Sequence, residues 1–92
     1  MQSMFSFIES LNLDIKGKFD GFRYLVIMKD SNEFSKVYNA LSLNKDLELD
    51  DESVATDAIC KYSFSNEWYT VTISANFETD LYKLTVEATN YD

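Results

Sequence analysis

Trp68-Tyr69-Thr70-Val71-Thr72-Ile73-Ser74 is the stretch on which the fold turns. Aromatic and β-branched residues dominate it, and such side chains suit a pleated, packed surface. It reads as a strand from Trp68 to Phe77, with Trp68 expected to be buried at its start. Ser65-Asn66-Glu67 before it and Glu78-Thr79-Asp80 after it are turn sequences. Ala58 to Phe64 reads as the preceding strand. Leu81 to Thr89 reads as the following one, with Leu84, Val86 and Ala88 on one face and Lys83, Thr85 and Glu87 on the other. Turns this short join antiparallel neighbours. The last strand is expected at a sheet edge, where it could pair with a second copy and give a homodimer.

Working outward, Phe22-Arg23-Tyr24-Leu25-Val26-Ile27-Met28-Lys29 is almost continuously apolar and predicts a central strand covered on both faces. Asp14 to Gly21 holds both glycines of the chain and reads as a connection or hairpin-like turn. Met4, Phe5, Phe7, Ile8 and Leu11 have helical spacing, with Ser3 as N-cap. Phe34, Val37, Tyr38 and Leu41 form a second helical stripe, started by Asp30 or Ser31 as N-cap with Glu33 in the first turn, and closed by Asn44. The expected fold class is α+β, an antiparallel sheet of about four strands with two helices packed on one face, spanning residues 1–92 as a single domain.

Ninety-two residues bury roughly 60–65% of the surface their unfolded chain exposes, a marginal amount. Seven Phe, six Tyr and one Trp supply much of the core. The charge of −8 arises from sixteen acids against eight bases. Such a surface repels nucleic acid and anionic membranes and attracts basic partners. Direct nucleic-acid and membrane binding are therefore not expected. A single cysteine, Cys60, excludes an intrachain disulfide and suits a reducing compartment. With no signal-peptide pattern at Met1–Glu9 and no span of about 18 apolar residues, a cytoplasmic location is expected.

The absence of histidine removes Ser-His and Cys-His nucleophile pairs and imidazole metal ligands. Cys60 beside Ile59 reads as a small hydrophobe in a strand. Two glycines cannot supply a dinucleotide or phosphate loop. Asp46 to Asp57 has acids at the first, third, fifth and twelfth positions of a calcium loop, but Asp51 stands where that loop needs glycine. No catalytic activity, cofactor or metal is expected.

Asp46, Glu48, Asp50, Asp51, Glu52 and Asp57 place six acids in twelve residues. They are the candidate partner-binding residues. If the segment is extended, Leu47 and Leu49 turn inward and the acids project from one side about 6.7 Å apart, two strand rises. That step resembles the spacing of successive phosphates on one nucleic-acid strand. Folding does not require such a cluster, whose members repel one another. The run reads either as a solubilising loop or as an anionic surface for a basic groove. Mimicry of nucleic acid requires acids from elsewhere to join it, and Asp14, Asp20, Glu33, Glu67, Glu78 and Asp80 are scattered along the chain.

In size, acid excess, lack of proline and histidine, and in the stretches Gly21 to Asp30 and Lys83 to Asp92, the chain resembles the anti-restriction nuclease proteins of T-even bacteriophages. The resemblance implies a dimeric DNA mimic that blocks a host restriction endonuclease of the McrBC type and binds the nucleoid protein H-NS. The other reading of the residues is a non-mimetic interaction or adaptor protein using an aromatic or sheet-edge surface.

Overall fold

The computed structural model describes residues 3–13, 16–49, 54–55 and 58–88. In chain order the elements are α1 (Met4–Ser10), β1 (Lys18–Asp20), β2 (Arg23–Met28), α2 (Ser31–Leu43), β3 (Glu48–Leu49), β4 (Val54–Ala55), β5 (Ile59–Ser65), β6 (Tyr69–Asn76) and β7 (Leu81–Ala88). The α+β class and the two helices agree with expectation. Six strands follow one another across the sheet in the order β1-β2-β7-β6-β5-β3, all antiparallel, and β4 also pairs with β5. The expected four are β2, β5, β6 and β7. The additional strands have two or three residues each, too few for an alternating pattern; hydrogen bonding to a longer neighbour defines them.

Both helices start as their caps dictate. Ser3 Oγ accepts from the Ser6 N–H at 3.1 Å, and Asp30 Oδ1 accepts from the Glu33 N–H at 2.9 Å. Glu33 Oε1 reaches back to the Lys29 N–H at 3.4 Å, a reciprocal arrangement close to a capping box. Asn44 ends α2. Phe7 and Leu11 at the first helix, and Phe34, Val37 and Leu41 of α2, join Val26, Met28, Phe64, Tyr69, Val71, Ile73, Ala75, Tyr82, Leu84 and Val86 in one core. The strand residues in that set alternate along β6 and β7, so one face of the sheet is buried under the helices.

The opposite face has no described element over it. Two expectations change with this. β2 is covered on one face only: Val26 and Met28 are buried, whereas Ile27 is 58% exposed. Its apolar run indicates a central strand, but Arg23 and Ile27 lie on the open face. β7 is not an edge. It pairs with β6 from Leu81 to Ala88 and with β2 from Tyr82 to Val86, so most of its backbone groups are already used within the sheet. The outermost strands are β1 and, beyond β5, the short β3 and β4.

Gly17, just before β1, and Gly21, in the turn between β1 and β2, are required for different reasons. A Cβ on Gly17 would run into the Leu25 carbonyl oxygen and the Val26 side chain, where backbone cannot yield. Gly21 has φ +66° with open space around it. Gly17→Ala is expected to lower stability by about 1–3 kcal/mol through overpacking, and Gly21→Ala by about 1 kcal/mol through backbone conformation. Denaturant unfolding checks both, and a Gly17→Ala variant as stable as the wild type would contradict the close approach at Gly17. Among the described residues no helix is long and apolar enough to cross a membrane.

Candidate functional site

Three asparagines shape the loops that carry the exposed acids. Asn44 Oδ1 accepts from the Asp46 N–H at 2.9 Å, and the Asn44 carbonyl accepts from the Leu47 N–H. Leu47 is buried, which anchors this turn and leaves Asp46 and Glu48 facing water. Leu49 departs from the expected inward position and is 51% exposed, because β3 contributes only two residues at the margin of the sheet.

Across from this turn, Asn66 Oδ1 accepts from the N–H groups of both Trp68 and Tyr69, at 2.8 and 2.7 Å. The Asn66 N–H donates to the Tyr69 carbonyl at 3.0 Å. This closed turn sends Tyr69 into the core, where its ring stacks on Phe7 at 4.8 Å. It sends Trp68 outward, 43% exposed. The expected burial of Trp68 is therefore corrected: the strand starts one residue later, and its alternation buries Tyr69. Glu67, in the same turn, is exposed.

The two turns face each other across an open groove of about 860 Å³ between α1, the end of α2 and the β5–β6 connection. Asp46, Glu48 and Glu67 line it together with Lys45, Leu43 and Trp68. The fold thus brings Glu67 to the two described acids of the candidate run. Among the described residues no hydrogen bond or ion pair engages the carboxylates of Asp46, Glu48 or Glu67. Asp50, Asp51, Glu52 and Asp57 lie outside the described residues.

A second acidic group sits at the other end of β6. Asn76 Oδ1 accepts from the Glu78 and Thr79 N–H groups at 3.1 and 3.3 Å, and Asp80 completes the turn with φ 53°. The Tyr82 hydroxyl donates to Asp80 Oδ1 at 3.3 Å. Burial raises the Tyr82 phenol above its ordinary value of 10.0. Charge and hydrogen bonding from Asp80 push the same way, Ser31 pulls it down, and the charge of Asp30 adds to the rise. Asp30 at the start of α2 and Asp80, fifty positions later, therefore lie at the same end of the sheet, where Met28 pairs with Tyr82. Eight residues of strand separate the two acidic ends, about 25 Å.

The raised phenol has a pH consequence. The folded state keeps the Tyr82 proton more tightly than the unfolded chain does, so this contribution to stability is complete below about pH 10. It is lost as pH rises through the folded-state value. Asp80→Asn is expected to bring the Tyr82 titration back toward the ordinary value, read as a change in the ultraviolet titration of the phenols. An unchanged curve would contradict the contact.

Cys60 is half-buried in β5 and packs against the core, with its hydrogen bond to Tyr62 the main cause raising that phenol. Comparison with known proteins found no matching family model, curated protein or solved structure. Glu67 and Asp80 were visible in the sequence as scattered acids. Their places, Glu67 on the same groove as Asp46 and Asp80 at the same end of the sheet as Asp30, depend on strand pairing and helix placement, which no local pattern encodes. The outward Trp68 had one local signal, the Asn66 turn, against the stronger pull of its β-rich surroundings.

Proposed function

We propose that this protein acts by binding, presenting carboxylates to the basic, nucleic-acid-binding surface of another protein as a DNA mimic does. The observation that carries the reading is the convergence of Asp46 and Glu48 with Glu67 on one groove, with carboxylates that no described contact engages. Asp30 and Asp80 extend the anionic character to the opposite end. Charges fixed on short, hydrogen-bonded turns can meet lysine and arginine without much further ordering, which limits the entropy cost of association. The resemblance to the anti-restriction proteins supplies the first targets to try, a McrBC-type endonuclease and H-NS in the bacterial cytoplasm.

The test is displacement. Added to either target bound to duplex DNA, the protein should release the DNA, and the effect should saturate at a fixed molar ratio. Trace protein that progressively inactivates excess target would mean turnover and overturn the binding reading. A dimer formed by strand pairing would use β1 or the β3–β4 flank, since β7 lies between β2 and β6. A second reading, an adaptor using an aromatic surface, is favoured by the exposure of Trp68 and of Leu43, which is 81% exposed. Salt separates the two: charge pairing weakens steeply as ionic strength rises, and an apolar interface does not.

A further inference from the structure

We infer that the groove between α1, the end of α2 and the β5–β6 turn docks an arginine-bearing segment of the partner protein, with the guanidinium laid on the face of Trp68. This rests on the anionic-surface reading and gives that surface a specific seat. Repulsion of nucleic acid, or attraction of any cation, needs only carboxylates. It does not need an indole and a leucine beside them. Here Trp68 and Leu43 share the groove with Asp46, Glu48 and Glu67, against one base, Lys45.

The turn geometry makes the seat firm. Asn66 holds the backbone on both sides of Trp68 through two hydrogen bonds under 3 Å, and Tyr69 is locked into the core behind it. The backbone that carries the indole is thus fixed at the groove, and a substantial part of the side chain faces water. A guanidinium fits such a site better than an ammonium. It is planar, weakly hydrated and stacks on aromatic faces while its N–H groups reach carboxylates on either side. Leu43 offers an apolar contact to a neighbouring side chain of the same segment.

Trp68 is the only tryptophan, so its fluorescence reports directly on this groove. Octa-arginine amide and octa-lysine amide serve as probes at low salt, with octa-glutamate as control, and calorimetry gives the affinities. The inference expects saturable change in Trp68 emission with octa-arginine and tighter binding of octa-arginine than octa-lysine by about two- to fivefold, the size of an exposed cation–π contact. Trp68→Leu, which keeps an apolar side chain without an aromatic face, should erase that preference while both cations still bind. Trp68→Phe should retain part of it. Equal binding of the two cations to the wild type, or an arginine preference that survives in Trp68→Leu, would overturn the seat at Trp68 and leave the anionic-surface reading standing. Failure of both cations to bind would overturn the anionic-surface reading along with it.

Discussion

Tyr69→Ala is expected to cost about 3–5 kcal/mol of folding stability, and the neighbouring Trp68→Ala only about 1–2 kcal/mol. The two aromatic residues are adjacent in sequence and opposite in role. Tyr69 is 4% exposed and stacks on Phe7, so its removal opens a cavity between α1 and the centre of the sheet. Trp68 loses contacts already shared with water. The larger loss is a third or more of the stability of a typical small domain. Thermal and denaturant unfolding of both variants give the comparison directly. If Trp68→Ala proves the more damaging, the turn built on Asn66 does not direct the rings as described.

That pair also shows how far residues alone lead. The strong β character of 68–77 identifies β6 correctly, because the unbroken aromatic and β-branched run from Tyr69 to Ile73 suits a packed strand better than a helix. The same stretch misplaces Trp68 by one position. Alternation has a period of two, so of two adjacent aromatic residues only one faces the core, and here it is Tyr69. The cap at Asp30 and the stripe Phe34, Val37, Leu41 define α2 accurately, since both are local. The long apolar run of β2 suggests two covered faces, but only the layers stacked on a sheet decide that. The position of β7 between β2 and β6 was hidden for a related reason: β2 and β7 lie more than fifty residues apart, and nothing within either strand names its partner. Of the candidate site, Asp46 and Glu48 were legible as acids beside the anchoring Leu47. The groove that joins them to Glu67 and Trp68 exists only once α2 and the β5–β6 turn are placed side by side.

The second large effect concerns binding. Replacing Asp46 with Asn and both Glu48 and Glu67 with Gln removes three of the sixteen acids while preserving size. All three residues are exposed, so stability should change by no more than about 0.5 kcal/mol per site, and relief of repulsion favours an unchanged or slightly more stable fold. Partner binding should fall by about 2–5 kcal/mol for each carboxylate that is desolvated in the complex. A carboxylate at the rim should contribute about 0–1 kcal/mol. Single substitutions rank the three. Extending the replacement to Asp50, Asp51 and Glu52 tests the rest of the acidic run. An unchanged circular dichroism spectrum with lost binding assigns these side chains to recognition. Full binding by the triple variant would place the interface elsewhere.

The most direct test of the anionic-mimic account is capture from bacterial lysate on immobilised protein at low and high salt, followed by elution with duplex DNA and identification of what is released. The account predicts that the retained proteins are nucleic-acid binders, that duplex DNA displaces them, that high salt prevents their capture, and that the Asp46, Glu48 and Glu67 triple variant fails to retain them. Capture that persists at high salt and resists displacement by DNA would contradict it.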